Sequence, residues 1–410
     1  MSKLVIPAPN TSGLQRLSLL VAVLGLVGAA VVLFSGNGNF FQSYLMAYLF
    51  VFGISLGSLA IMTTQHMAGG PWGALIARPL EAAVSIIPVL GILFIPILFG
   101  INELFAWSSQ AYMDANPIAA AKSVYLNVPF FIARAVAYFA IWTFAARFYR
   151  EASRKQDEDA SAAPKLGYRM RNVSGVWLMV FILTMTFAIV DWAMSLTPLW
   201  FSGIYPTIFM IGYAITGMAV MIITVVAYTK QHRLFDRLLN NKRLQDLGNF
   251  LMAFIMFWAY VHISQLIIIW TNNMAETADW YVVRLGDDWL GLSTFLLVFG
   301  FFAPFLILLS RWVKRRRTAL VWMSVWSIVV QAIGVYWMIA PTFAREGAQI
   351  TWADIALFVG LTAVWFFFYL RGLSSRNLIP ANDPRLIEAI MGDAPRASSA
   401  SVEASHAGTN

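Results

Sequence analysis

Long apolar stretches separated by short polar joints dominate the chain. About 20 apolar residues in a row are long enough to cross the hydrocarbon core of a bilayer as an α-helix. We predict ten such helices, near residues 14–34, 44–64, 82–101, 126–148, 175–196, 204–229, 248–270, 288–310, 318–340 and 352–371. No 20 to 50 residue repeat is visible, and the joints are too short for a soluble domain. The pattern therefore predicts an all-α fold, a single polytopic bundle of membrane helices.

The basic residues predict how the bundle is oriented. Lysines and arginines collect in alternate joints, at residues 147–171, 230–243 and 311–317. Because cytoplasmic loops carry the excess of Lys and Arg, this alternation predicts that both termini lie in the cytoplasm. In that orientation few basic residues fall on the outer side, namely Lys122, Arg284 and Arg345. Arg134 falls inside a span.

We divide the chain into two parts. Residues 1–375 are predicted to form the transmembrane domain, and residues 376–410 a cytoplasmic tail, whose end from Ala394 onwards is expected to be disordered. The first span lacks a convincing cleavage site and is followed directly by a second span, so we expect a retained helix. The joint from Tyr149 to Ser174 mixes acids and bases, which is typical of a solvated linker.

Composition supports the membrane assignment and excludes several chemistries. The 410 residues are 60% hydrophobic and 12% charged, which is outside the usual balance of soluble domains. The chain has no cysteine, so disulfides, thiolate zinc sites, iron–sulfur ligation and covalent c-type haem are excluded. Redox centres would have to be carried by other subunits. The net charge of +8 comes from the basic joints and does not indicate nucleic-acid binding.

Ionisable residues near the spans are the candidate functional residues, because burying a charge in a membrane is costly. One group, His66, Arg78 and Glu81, lies at the predicted cytoplasmic edge beside the helix-breaking segment Gly69-Gly70-Pro71. Pro79 suits the first turn of the third helix. Arg78 and Glu81 are three residues apart, so they share a helix face and can pair. The group can handle protons or a polar ligand, or it can serve as an anchor with an interfacial histidine.

A second group, Glu103, Arg134, Asp191 and His262, lies in the predicted outer leaflet. Arg134 is too deep to be a simple anchor, so it needs backbone carbonyls or a carboxylate, which Asp191 or Glu103 could supply. The alternatives are a purely structural ion pair and, for His262, a hydrogen bond between helices. His66 and His262 lie at different depths, so a haem between them is not expected. No spacing of His or carboxylate residues resembles a metal site.

Hydroxyl groups could connect the two groups of ionisable residues. Thr184, Thr186 and Ser195 lie in the fifth span and, with water molecules, could bridge the apolar gap between the two ionisable groups. The helices are also rich in Phe and Trp, and they could form apolar ligand slots without leaving a mark in the sequence.

A segment at the end of the fifth span resembles a family signature. Its sequence is Asp191-Trp192-Ala193-Met194-Ser195-Leu196-Thr197-Pro198-Leu199-Trp200-Phe201-Ser202. It is similar to the F subunit of bacterial alternative complex III, within the NrfD-like or polysulfide reductase membrane-subunit family. Further matches lie along nearly the whole chain, at His66–Glu81, Phe257–Tyr281 and Ile379–Leu386.

The chain departs from the family pattern at four positions. A paired histidine would be expected at Gln65, a paired arginine at Ala77, and Asp and His at Thr197 and Leu199. A proton step that uses the missing groups would have to proceed differently here. The departures are compatible with a divergent branch that has a different electron acceptor.

The resemblance implies a cofactor-free subunit of a respiratory quinol:cytochrome c oxidoreductase in the bacterial cytoplasmic (inner) membrane. Its partners would be the lipid bilayer, a sister NrfD-like subunit that oxidises quinol or menaquinol nearby, an iron–sulfur subunit and c-haem subunits. The chain itself would support quinol oxidation and provide a proton path. The alternatives are a structural anchor for the redox subunits and a secondary transporter. Candidate proton carriers are His66, Glu81, Asp191 and His262, with Arg78, Glu103 and Arg134 in support.

Overall fold

Helices long and apolar enough to cross a membrane make up most of the chain. The structure is a computed structural model that describes residues 6–34, 40–272, 274–380, 382–383 and 385–386. Within these residues there are ten such helices, and we label them in chain order as α1 (Ser12–Phe34), α2 (Phe40–Ala68), α3 (Pro71–Phe99), α4 (Val128–Glu158), α5 (Ala163–Leu196), α6 (Tyr205–Thr229), α7 (Asn241–Asn272), α8 (Asp287–Leu309), α9 (Arg317–Thr342) and α10 (Trp352–Ser374). The predicted all-α bundle of ten membrane helices is confirmed. The part of the tail predicted to be disordered lies outside the described residues.

The helices pack as two four-helix bundles that lie side by side. Helices α2 to α5 form the first bundle and α6 to α9 the second, with α2 packed against α6 along the junction. Helix α10 packs against α2 and α3, and α1 packs mainly against α10. The most apolar window of α2 is 94% buried and that of α6 is 78% buried, whereas those of α1 and α8 are each 22% buried. The core therefore lies at the junction between the bundles.

Glycines let the helices approach closely at two crossings. A Cβ atom on Gly57 of α2 would lie 1.8 Å from the carbonyl oxygen of Tyr213 in α6, and one on Gly217 would lie 3.0 Å from the carbonyl carbon of Gly57. A Cβ atom on Gly25 of α1 would lie 2.3 Å from the Cα of Gly360 in α10. Small residues are common at such crossings because they allow close backbone packing in lipid.

Both described ends of the chain meet at one end of the bundle. The backbone N–H of Leu378 donates to the carbonyl oxygen of Ile6 at 3.0 Å. We call this side the terminal end and the opposite side the far end. The cytoplasmic location of the terminal end stays a prediction.

The prediction of a solvated linker between the fourth and fifth spans is wrong. Helix α4 continues to Glu158 and α5 already begins at Ala163, so most of the joint from Tyr149 to Ser174 is helical. The apolar pattern ends early because charged residues begin there, but these residues are good helix formers. Arg154 also pairs with acidic side chains three residues before it and four residues after it, which supports the exposed helix.

The regular α-helical structure is interrupted in two membrane helices, α3 and α8. Helix α3 is divided at prolines into the segments Pro71–Val84, Ile87–Leu93 and Ile95–Phe99. Helix α8 contains a π-helical stretch at Leu296–Phe302, directly before Pro304. Proline removes a backbone donor, and π-helical turns are frequent at functional sites.

Candidate functional site

A buried ion pair joins α4 and α5 near the far end. Arg134 donates from Nε to Oδ2 of Asp191 at 2.8 Å and from Nη2 to Oδ1 at 2.9 Å. The hydroxyl of Tyr138 donates to Oδ2 at 3.1 Å. Asp191 is 0% exposed and Arg134 is 9% exposed. Asp191 is therefore the carboxylate that Arg134 requires, and its charge is shared with three donors.

The remaining guanidinium surface of Arg134 is also covered. Its Nη1 donates to the backbone carbonyl of Tyr125 at 3.0 Å, and its Cζ lies 3.9 Å from the Tyr125 ring centroid and 4.3 Å from that of Phe130. Burial, with Asp191 nearby, raises the pKa of the Tyr125 phenol well above its ordinary value. Hydrogen bonds and ring contacts thus compensate much of the cost of burying this cation.

Two hydrogen bonds hold the end of α5 around Asp191. The hydroxyl of Ser195 donates to the backbone carbonyl of Asp191 at 2.5 Å. The indole N–H of Trp107 donates to the Ser195 hydroxyl at 3.1 Å. Trp107 lies in the joint between α3 and α4, so this joint helps to fix the position of the carboxylate.

The other two residues predicted for this outer group lie elsewhere. Glu103 is exposed on the turn Ile101–Leu104 and does not contact the ion pair. His262 lies in the second bundle, with its ring 4.2 Å from that of Trp258 and 6.0 Å from that of Trp337. Similar depth in the membrane did not bring the four residues together, because depth does not specify which helix face packs against which neighbour.

A second ionic network lies in the first bundle near the terminal end. Arg78 and Glu81 form the expected i, i+3 ion pair at 2.8 Å, and both are buried. The Ser153 hydroxyl on α4 donates to Glu81 at 2.6 Å and accepts from Arg78 at 3.0 Å. Arg78 also pairs with Asp157, and Arg376 pairs with Glu81 at 3.0 Å. The network thus joins α3, α4 and the segment after α10.

The placement of Arg78 differs from the prediction. Helix α3 begins directly at Pro71, after Gly69 (φ 72°) and Gly70 (φ 96°), whose left-handed backbone favours glycine. Pro79 therefore lies inside the helix and not in its first turn. This places Arg78 within the bundle, where it pairs with carboxylates and does not act as a simple surface anchor.

The start of the tail covers the connection between α2 and α3. Arg385 donates to the side-chain oxygen of Gln65 and pairs with Asp383 at 2.6 Å. Asn382 donates from Nδ2 to the backbone carbonyl of Gln156 at 2.7 Å. Burial acts to raise the pKa of Asp383, but Arg385 holds it below its ordinary value. Gln65, where the family pattern has a histidine, is thus a docking point for the tail.

His66 lies beside this tail segment and stacks on a tyrosine of α4. The rings of His66 and Tyr149 are 5.1 Å apart and nearly parallel, at 8°. The hydroxyls of Tyr149 and Ser174 are 2.7 Å apart, and Ser174 also donates to the backbone of α5 at Met170. From the sequence, Tyr149 and Ser174 were the ends of the predicted linker and not candidate functional residues.

Polar and aromatic side chains continue along one face of α4 between the two networks. We call this row the α4 polar face, and its members are Arg134, Tyr138, Trp142, Tyr149, Ser153 and Asp157. Steps of four residues keep side chains on one helix face. The largest step, from Trp142 to Tyr149, spans about 10 Å at 1.5 Å per residue. The face therefore extends from the far-end ion pair to the terminal-end network with one wide gap.

The hydroxyls predicted to bridge the gap have different environments. Thr184 accepts a hydrogen bond from the indole N–H of Trp142 at 2.9 Å, so it adjoins the α4 polar face. Thr186 is half-buried and donates only to its own helix at Ile182. Ser195 lies beside Asp191 at the far end and not in the gap.

Comparisons with known proteins add no family assignment. No protein-family model matches the chain, and no curated protein matches it. The resemblance to the F subunit of alternative complex III therefore stays a prediction.

Proposed function

We propose that this protein is a cofactor-free membrane subunit of a quinol-oxidising respiratory complex in the bacterial cytoplasmic membrane, and that it provides a proton path. The observation that carries the proposal is the α4 polar face, which has an ionic network at each end. Ionisable groups inside a membrane bundle are characteristic of proton relays, since their burial is otherwise costly. The partner subunits and the quinol in this proposal are those that the resemblance to a quinol-oxidising complex implies.

At the far end, Asp191 has the role of proton carrier. A proton arriving on its carboxylate would weaken the ion pair with Arg134. Arg134 would keep its hydrogen bond to the Tyr125 carbonyl and its contacts with two rings, so its charge would stay stabilised. Tyr138, whose hydroxyl contacts the carboxylate, is positioned to pass a proton between Asp191 and the interior of the bundle.

At the terminal end, Glu81 and His66 have the corresponding role. Ser153 connects Glu81 to the α4 polar face at hydrogen-bond distance. Tyr149 contacts the His66 ring and lies four residues before Ser153. Between Trp142 and Tyr149, water molecules must carry the proton, because the step of about 10 Å is too long for one hydrogen bond.

A structural anchor is the second candidate function, and the ion pairs themselves favour it. Arg134 and Asp191 tie α4 to α5, while Arg78, Glu81 and Arg376 tie α3 to the tail. Removing one partner of a buried pair leaves an uncompensated charge, which costs about 3–5 kcal/mol. Such pairs could serve only to hold the subunit in one shape for its partners.

Asp191→Asn in the assembled complex separates these functions. We expect the complex to assemble, while proton release coupled to quinol oxidation in proteoliposomes is lost. Thr186→Val is the matched control. Thr186 lies on α5, as Asp191 does, but its hydroxyl donates only to the backbone of its own helix at Ile182. Wild-type turnover and proton release in Asp191→Asn would contradict the relay. Loss of assembly with the partner subunits would favour the anchor.

A further inference from the structure

A small cavity lies in the second bundle, next to its junction with the first. Residues of α6, α7 and α9 line it, Phe50 of α2 contributes to one wall, and its volume is about 20 Å³. About 10–15 Å³ is enough for one water molecule, whereas a cavity that holds a benzene ring has a volume of about 150 Å³. The cavity therefore suits a ligand no larger than water.

A glycine of α6 leaves room for this cavity. A Cβ atom on Gly212 would lie 2.7 Å from Oε1 of Gln331 on α9 and 3.8 Å from Nε1 of Trp258 on α7. All three residues line the cavity. A hydrogen-bond acceptor and an N–H donor from two different helices therefore lie within 4 Å of one position beside the backbone of α6.

Two more residues of the lining carry polar atoms without a partner. They are Nε2 of His262 and the hydroxyl of Tyr213, and both atoms are buried without a hydrogen bond to any residue that the structure describes. Tyr213 is only 3% exposed. Buried polar atoms are nearly always paired. A buried water molecule typically makes about three hydrogen bonds to groups of this kind, so the lining indicates water.

Close packing holds the aromatic walls of the cavity in place. The Tyr213 ring lies against the backbone of α2 at Gly53, where a Cβ atom would lie 2.0 Å from Cδ1 of the ring. The Tyr213 ring also lies 5.8 Å from that of Phe209, and the Trp258 ring lies 4.2 Å from that of His262. Contacts between aromatic rings favour particular geometries. A small rotation of the rings therefore does not close the cavity, and its polar groups need a ligand to pair them.

The cavity has polar groups but no countercharge for an ion. The described lining residues include no Asp, Glu, Lys or Arg. The Thr216 hydroxyl in the lining donates to backbone carbonyls of its own helix, to Gly212 at 3.2 Å and to Tyr213 at 3.0 Å. Burying an ion without a partner is costly. A neutral ligand that both donates and accepts hydrogen bonds fits this lining.

We propose that one ordered water molecule occupies this cavity and connects α6, α7 and α9. The water donates to Oε1 of Gln331 and to Nε2 of His262. It accepts from the indole N–H of Trp258 and from the hydroxyl of Tyr213. The site explains the glycine at position 212, because a methyl group on Gly212 would take the place of the water. The inference does not depend on the proton path proposed for the first bundle.

Radiolytic labelling of the full chain in nanodiscs tests the proposal. X-ray pulses split water into hydroxyl radicals, which oxidise side chains next to a bound water, and the probe is water that carries the heavy oxygen isotope. Mass spectrometry should find heavy oxygen on the cavity residues Phe209 and Trp258. Phe105 and Trp289 are the buried references, and the indole N–H of Trp289 already donates to the Ala344 carbonyl at 3.1 Å. Equal oxidation of cavity and reference residues would overturn the proposal in favour of a dry cavity.

Variants with a matched control sharpen the test. Gly212→Ala places a methyl group in the cavity and should reduce the label on Phe209 and Trp258 to the reference level. Gly91→Ala is the control, because its methyl group meets only the Phe139 ring of the first bundle, at 3.5 Å, and should leave the label unchanged. If Gly212→Ala does not fold, Gln331→Leu removes one acceptor and should lower the label by up to about fivefold, the effect of one neutral hydrogen bond. Full label in both Gly212→Ala and Gln331→Leu would overturn the proposal, because the water would then lie elsewhere.

Discussion

The two four-helix bundles stabilise their buried cations in different ways. In the first bundle, Arg134 and Arg78 each bond a carboxylate, and a hydroxyl group donates to the same carboxylate. In the second bundle, the buried Arg284 bonds two backbone carbonyls and contacts an indole face.

The two arrangements of buried charge have different consequences for function. Paired charges hold helices together and give a proton a sequence of ionisable groups to occupy. A buried cation that bonds backbone carbonyls holds helix ends together without an ionisable partner. Substitutions at the ion pairs of the first bundle should therefore change both stability and proton transfer, while those at Arg284 should change stability alone.

The largest expected effect is at the far-end ion pair. Asp191→Ala leaves Arg134 buried without its carboxylate and should destabilise the protein by about 3–5 kcal/mol. The double variant Asp191→Leu with Arg134→Met removes both charges and should recover most of this loss. Thermal unfolding of the purified chain in detergent measures both effects. A double variant no more stable than Asp191→Ala would show that the pair is not the source of the loss.

The terminal-end network should respond less strongly. Glu81→Gln removes the charge but keeps the size, and Arg78 still has Asp157 as a partner. We expect a loss of about 1.5–3 kcal/mol, the range for hydrogen bonds to charged groups. The control is Glu151→Gln, which removes an exposed ion pair on α4 and should cost less than about 1 kcal/mol. Equal losses in the two variants would contradict a buried network at Glu81.

Two tyrosine substitutions, one in each bundle, test the bond from Tyr138 to the ion pair. Tyr138→Phe removes a hydrogen bond to the Asp191 carboxylate and should cost about 1.5–3 kcal/mol. Tyr260→Phe removes a hydroxyl on an exposed position of α7, so it should leave stability nearly unchanged. Thermal unfolding midpoints of the two variants, measured side by side, give the comparison. Similar losses would contradict the contribution of the Tyr138 hydrogen bond.

The smallest effect should come from the tail. Arg385 holds the pKa of Asp383 below its ordinary value, so the ionised carboxylate contributes stability above that ordinary value, about 3.9. As the pH falls through the lowered pKa, Asp383 takes up a proton and this contribution is lost. Asp383→Asn should remove the dependence, which hydrogen exchange of the tail can measure by comparing neutral pH with a pH below about 3.9. Identical profiles for variant and wild type would contradict the contact.

The sequence predicted the helices well because bilayer-length apolar stretches depend on composition alone. The ion pair between Arg78 and Glu81 was also predictable, since both lie on one helix at a spacing of three. Contacts between helices were harder to predict. Arg134 had two possible carboxylates at similar depth, and Glu103 proved to be exposed while Asp191 was the partner.

Other features depended on packing that periodicity does not specify. His262 was grouped with Arg134 by depth, but its helix belongs to the other bundle. The π-helical stretch in α8 likewise has no clear sequence mark. Tyr138 and Ser153, in contrast, could have been found, because they follow Arg134 and Tyr149 at intervals of four residues on the same helix.

The proton-to-electron ratio of the double variant Asp191→Leu with Arg134→Met shows whether protons move along the α4 polar face through the far-end ion pair. This variant removes the far-end proton carrier without leaving an unpaired charge, so it should fold and assemble with its partner subunits. In proteoliposomes we predict that quinol oxidation continues without the proton transfer that passes along the α4 polar face. A wild-type ratio in the assembled variant would contradict the account.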